Sequence, residues 1–132
     1  MDAILDHIGI NVTDFERSKV FYEQALAPLG IALAMAWGPS AGFGRGGKPE
    51  LWIGAQQTSF QTASQIRVIT PVHVCLRASS RAEVDAFHRA AIAAGGKDFG
   101  APGLRPEYHP SYYGAFVLDP DGHNIEAVFH GG

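Results

Sequence analysis

The sequence predicts an α+β fold made of one small module used twice. Three observations carry this. Sliding the chain by 66 residues pairs His7 with His73, Phe21 with Phe87, Ala25 with Ala91 and Gly30 with Gly96 without a gap, and sets Thr13 on Ser79. Each half opens on a run of period-two alternation, passes into a helical pattern and continues with further strand-like runs. The chain closes on Phe116–Phe129, FVLDPDGHNIEAVF, where Asp-Pro-Asp-Gly is a strong turn signal between two strand-like arms. The 132 residues fit a single domain over 1–132, with a first module over about 1–56, a linker over about 57–70 and a second module over about 71–132.

The elements follow in order. Ile4–Val12 reads as a first strand, with Ile8, Ile10 and Val12 on the face a helix covers and His7, Gly9 and Asn11 on the other. Thr13, with Glu16 three residues on, is read as the capping box of a helix whose buried stripe is Phe15, Ser18, Tyr22, Ala25, Leu26 and Leu29. Pro28 and Gly30 close it. Ile31–Trp37 is a second strand. Gly38–Gly47 is a loop with a short strand in it; it has neither the spacing of a dinucleotide cradle nor the Lys-Ser/Thr of a P-loop. Glu50–Ala55 is the next strand, with Glu50, Trp52 and Gly54 on one face, and Gln56–Gln65 reads as exposed linker. Pro71–Ala78 restarts the module. Ser80 and Glu83 cap a second helix with Val84, Phe87, Ala91 and Ala94 as its stripe, ended by Gly95-Gly96. Gly100–Tyr113, with three prolines, reads as a loop before the final hairpin.

Composition excludes several classes. The net charge of −3 and the lack of basic runs argue against nucleic acid or an anionic membrane as partner. No apolar run reaches spanning length, and the start MDAILDHIG lacks the basic opening and apolar core of a signal peptide. A single cysteine, Cys75, excludes an intrachain disulfide and fits a reducing cytoplasm.

The candidate chemistry lies on the strand faces away from the helices. A carboxylate in mid-strand is costly to bury unless it is paired or bound to a metal, which singles out Glu126. His7 and His73 hold the same position in both halves. Were the two sheets to face each other, both rings would point into one concavity, with Glu126 on the last strand of the second half and Glu50 on the corresponding strand of the first. His7, His73 and Glu126 are then a two-histidine, one-carboxylate set suited to a divalent ion, Zn, Ni, Mn, Co or Fe(II). Arg105, Tyr108, His109, Tyr112 and Tyr113 lie on a loop able to close over the mouth, as donors to substrate or as packed rings, and Trp52 is a pocket wall or a core residue. His88, His123 and His130 are read as surface or satisfied core groups, and Cys75 is given no role.

These residues resemble the vicinal oxygen chelate superfamily of glyoxalase I, extradiol dioxygenases and bleomycin- or fosfomycin-resistance proteins. The resemblance rests on DHIGINVTDFERSKVFYEQALAPLG, VHVCLRA and FVLDPDGHNIEAV and covers nearly the whole chain. It implies two βαβββ modules forming a cup-shaped, partly open mixed sheet. It also implies metal ligands on the first and last strands of each module: His7, His73, Glu126 and, by the same carry-over, Glu50. The implied activity is a metal-dependent lyase or isomerase of glyoxalase type on a small substrate with vicinal oxygens, Glu126 or Glu50 acting as base. A ring-cleaving Fe(II) dioxygenase and a metal-free antibiotic-binding protein are the alternatives. A homodimer is implied, with sites built in some members from strands of both chains. Extradiol dioxygenases share the triad but are usually longer, and glutathione contacts of a glyoxalase I are not identifiable here.

Overall fold

The computed structural model describes residues 3–131. Met1, Asp2 and Gly132, at the ends of the expected domain, lie outside the described residues. The chain runs β1 (Ile8–Asn11), α1 (Phe15–Leu26) with a 3-10 turn at Ala27–Leu29, β2 (Ala32–Trp37), β3 (Ser40–Gly44), β4 (Leu51–Gly54), α2 (Ala63–Arg67), β5 (His73–Arg77), α3 (Arg81–Ala93), β6 (Lys97–Leu104), β7 (Tyr113–Leu118) and β8 (Asn124–Phe129). Two mixed four-stranded sheets result, ordered β1-β4-β3-β2 and β5-β8-β7-β6. In each, the first strand runs parallel to the last, as a strand–helix crossover requires, and the rest are antiparallel hairpins. Among the described residues no helix is long and apolar enough to cross a membrane.

One core serves both halves. Ile10, Val12, Leu51 and Ile53 of the first sheet, Ala115, Val117, Ile125 and Ala127 of the second, and the stripes of α1 and α3 are all buried. The two helices pack on each other. Phe21 and Tyr22 meet edge to face at 5.0 Å, the arrangement aromatic quadrupoles favour. The paired glycines of the repeat answer to different needs. Gly30 sits at φ 74°, where a side chain is strained, whereas a Cβ on Gly96 would come within 2.8 Å of the Phe21 ring.

Three local expectations change. Asp14, not Thr13, caps α1, its carboxylate accepting from the Arg17 amide. Thr13 is occupied elsewhere: its amide and hydroxyl both donate to Asp121, 108 residues away. The expected linker holds α2, started by a Thr62–Gln65 capping box but with no buried residue of its own. Gly100–Leu104 is the end of strand β6 rather than loop. Its pairing with β7 skips past Pro102 through register shifts on either side of Gly100, and an edge strand is where a sheet tolerates proline.

The seam between modules is held by reciprocal clasps. After β7, the turn Asp119–His123 reaches into the first module at three points. Tyr22 donates to Asp119 at 2.5 Å, Asp121 accepts from Thr13, and buried His123 accepts from the Val72 amide while its Nε2 donates to the Asn11 carbonyl. At the other end Arg45, just past β3, donates to the carbonyls of Leu29 and Arg77. Asn11 and Arg77 occupy the same place in the repeat. Each module's late turn thus grips the last carbonyl of the other's first strand.

Candidate metal centre and substrate face

The final hairpin positions the central carboxylate. Ala115 and Val117 of β7 and Ile125 and Ala127 of β8 face α3, so alternation turns Gly114, Phe116, Asn124 and Glu126 to the opposite face of the sheet. Glu126 is 2 % exposed. Its Oε1 lies 3.1 Å from His73 Nε2, and its Oε2 accepts a short hydrogen bond from the Tyr112 hydroxyl. Gly114, diagonally across on β7, leaves the room: a Cβ there would stand 3.1 Å from Oε2 and 3.2 Å from the Tyr112 ring.

Hydrogen-bond logic fixes the imidazole. His73 Nδ1 lies 3.0 Å from the Asn124 carbonyl, which only accepts, so Nδ1 carries a proton. Nε2 is left facing the Glu126 carboxylate, 3.1 Å from Oε1. A histidine whose Nδ1–H is anchored on a backbone carbonyl and whose Nε2 faces a carboxylate is oriented as a metal ligand is. An ion entering there would be held by Nε2 and Oε1. The His73 ring stacks over Phe116 at 6.1 Å between centroids, and the Arg105 guanidinium lies 5.5 Å from the same ring. Beyond Tyr112, His109 and His130 stack edge-on to it, with Nε2 of His109 2.9 Å from Nδ1 of His130. The Ser111 amide donates to His109 Nδ1, so the His109 proton is on Nε2 and is donated to His130.

Cys75 pairs with Glu126 across the β5–β8 ladder. Cys75 is exposed as a residue, but desolvation of its thiol by the surrounding sheet, reinforced by the Glu126 charge, pushes it up to about 12. Burial and the bond to Glu126 likewise raise Tyr112. Both groups stay protonated at neutral pH beside the one carboxylate. Iodoacetamide is therefore expected to modify Cys75 about two orders of magnitude more slowly at pH 8 than an unperturbed thiol. Glu126→Gln should speed that reaction by about tenfold, and an unchanged rate would show that the carboxylate is not what holds the thiol neutral.

The other predicted residues lie apart. His7 is exposed, its Nδ1 2.6 Å from Asp6, which in turn pairs with Lys48. With Glu50, Arg45 and Arg77 it lines a cavity of about 240 Å³ at the far end of the seam. Among the described residues no three His, Cys, Asp or Glu side chains come close enough to hold a metal ion. Tyr113 turns to the helix side, where its hydroxyl donates to Asp85 on α3. The ladders also give each last-strand residue its counterpart in the other module. Gly9 pairs with Trp52, and Cys75, its equivalent in the repeat, pairs with Glu126. Trp52, not Glu50, therefore stands where Glu126 stands; Glu50 matches Asn124. The indole lies over Gly42, whose missing Cβ leaves it space.

Among the described residues of one chain the donor set is thus two, His73 and Glu126, short of the three protein ligands a catalytic ion ordinarily has. The described residues fit an ion only if they are joined by a further donor, such as one from a second copy of the chain.

A sequence model of the Glyoxalase/Bleomycin resistance protein/Dioxygenase superfamily matches residues 4–127. Among solved structures, the chain is similar to a glyoxalase/bleomycin resistance protein from Albidiferax ferrireducens T118, at 28 % identity and a TM-score of 0.75 over 96 % of this chain and 98 % of that one. It is similar to a putative glyoxalase from Bacillus halodurans at 25 % identity, TM-score 0.67, over 97 % and 96 % of the two chains. It shares its fold with lactoylglutathione lyase from Agrobacterium tumefaciens at 22 % identity, TM-score 0.67, over 98 % and 94 %. No curated protein sequence matches it.

Proposed function

The chain belongs to the glyoxalase/bleomycin resistance/dioxygenase superfamily, and from that premise we propose that it is a divalent-metal enzyme for a small substrate with adjacent oxygen atoms. The observation that carries the reading is the His73–Glu126 pair, a buried carboxylate 3.1 Å from an imidazole anchored on a backbone carbonyl. His73 and Glu126 of one chain would hold the ion together with His7 of a second copy, so the active unit is a homodimer. When bound, the ion polarises the substrate oxygens and stabilises the charge that develops on them. The chain's own residues do the rest. Tyr112 fixes the second oxygen of Glu126, Phe116 offers a flat apolar wall, and Arg105, above that wall, supplies positive charge for a substrate oxygen. His109 reaches the site through the Tyr112 ring. With its lone cysteine held as a neutral thiol, the protein suits a reducing cytoplasm.

The register of Trp52 orders the two chemistries. With a carboxylate in only one of the two equivalent last-strand positions, the assembled set is two histidines and one carboxylate. That is the donor set of Fe(II) oxygenases, which leave open positions for substrate and oxygen. Oxygen-dependent cleavage therefore leads, and proton transfer of lyase or isomerase type, with Glu50 beside His7 as the base, comes second.

The test is metal content and oxygen uptake. Protein purified without added metal or chelator is expected to carry about one divalent ion per chain, lost in His73→Ala. Loaded with Fe(II), it should consume oxygen with a catechol probe. A metal-loaded protein that turns over a hemithioacetal without oxygen would favour the lyase reading. Failure to take up Fe, Mn, Ni or Zn would overturn both and leave ligand sequestration by the open face.

A further inference from the structure

A second cavity, of about 500 Å³, lies between the linker and the end of β1, on the opposite side of the seam from His7. That volume is ample for a small organic molecule. Its lining combines Ile69 and Val72 with the side-chain amides of Asn11, Gln61 and Gln65, and among the described residues no Asp, Glu, Lys or Arg contributes to it. His123 is there too, but both its ring nitrogens are already engaged by Val72 and Asn11.

The three amides are all oriented, and all the same way. Gln61 Oε1 accepts from the backbone amide of Thr58, and Gln65 Oε1 from that of Thr62. Backbone N–H groups only donate, so these contacts fix oxygen and nitrogen in both side chains. Gln61 Nε2 then donates to Asn11 Oδ1, which uses that oxygen as well. Each amide is left with N–H donors to offer, while its oxygen already accepts at least one bond. The hydroxyls of Ser64 and Thr70, also in the lining, can serve either role.

We infer that this cavity is a second small-molecule site, which takes an uncharged ligand rich in oxygen acceptors and poor in N–H donors, with lactones and quinone-like rings as the class. A ligand presenting N–H groups there meets the amide donors with donors and finds its acceptors chiefly in the Ser64 and Thr70 hydroxyls, and a charged one finds no counter-ion. The site is separate from the Glu126 face and does not depend on an ion being held there.

The test is titration of the full ¹⁵N-labelled chain with coumarin, a lactone with acceptors only, and with indole, a ring of similar size with one donor and no acceptor. Coumarin is expected to shift the side-chain NH₂ signals of Asn11, Gln61 and Gln65, and indole to bind at least about tenfold more weakly. Gln65→Glu keeps the oxygen that caps α2 but replaces the donor by a carboxylate, and should weaken coumarin at least about tenfold. Asn11→Asp, which keeps the oxygen that Gln61 donates to, should do the same even where Gln65→Glu disturbs the linker. Glu126→Gln should leave coumarin binding unchanged. Equal binding of indole, shifts confined to residues around Phe116, or unchanged affinity in both variants would overturn the assignment.

Discussion

Asp119→Ala should cost about 3–4 kcal/mol, among the largest single effects on stability in this chain. Asp119 is 5 % exposed and accepts from three donors, the Tyr22 hydroxyl and the amides of Asp121 and His123. Truncation leaves all three without a partner in a buried joint, and each unsatisfied group costs roughly 1–3 kcal/mol, only part of which water can recover. A urea midpoint lowered by about 2 M at an unchanged slope is the expected reading. Tyr22→Phe should cost less, since the carboxylate keeps both backbone amides, and the double variant should fall short of the sum because the two share one bond. The same contact sets an alkaline limit. Burial, and then the Asp119 charge, raise the Tyr22 phenol well above its usual value of 10.0. Its neutral form is the one the fold stabilises, so that contribution is complete below about pH 10 and is lost as pH rises toward the folded value. Stability should therefore fall above pH 10 in the native chain and less steeply in Tyr22→Phe. Parallel alkaline curves would show that the phenol does not titrate with unfolding.

His7→Ala and Glu126→Ala chains, each devoid of bound ion and of activity, are expected to recover when unfolded together and refolded as a mixture. A mixed dimer holds one complete set, His7 from the Glu126→Ala chain with His73 and Glu126 from the His7→Ala chain, and one set missing two donors. Random pairing makes half the dimers mixed, so roughly a quarter of the native metal content and activity should return. Complementation reads the proposed assembly directly, because two chains that each build their own site cannot repair one another. No recovery, with native-sized mixed dimers present, would place every ligand within one chain and remove the basis for pairing His7 with the partner's Glu126.

The architecture was legible because its signals are local and occur twice. Alternation, helical stripes and glycine stops at a fixed offset specify two modules whichever way they pack. The face of Glu126 was legible for the same reason, since the turn before it fixes the parity of β8. What escaped the sequence depends on partners distant in the chain. β6 reads as loop from its glycines and Pro102, and is a strand only because β7 pairs with it. Tyr112 and Tyr113 differ by one residue and end on opposite sides of the sheet, which follows from alternation only once the start of β7 is known. Glu50 and Trp52 share a face, and only the ladder to β1 shows which of them answers to Glu126. The acidic turn looked like a mere corner between strands; that Asp119, Asp121 and His123 each reach into the other module has no signature in sequence. A Thr-x-x-Gln capping box did mark α2 in the linker, but without an apolar stripe to confirm it.

The reciprocal grip at the seam has a consequence for ancestry. Each module holds the other by the same carbonyl, through His123 in one direction and Arg45 in the other, as two identical half-length chains would around a two-fold axis. The joint thus has the reciprocity of a dimer interface inside one polypeptide. The segment joining the halves then acts chiefly as a tether, keeping them at an effective concentration on the order of millimolar. Freed from holding the halves in register, that tether could diverge in sequence while the seam stayed intact, and a polar stretch that began as a connection could come to wall a cavity.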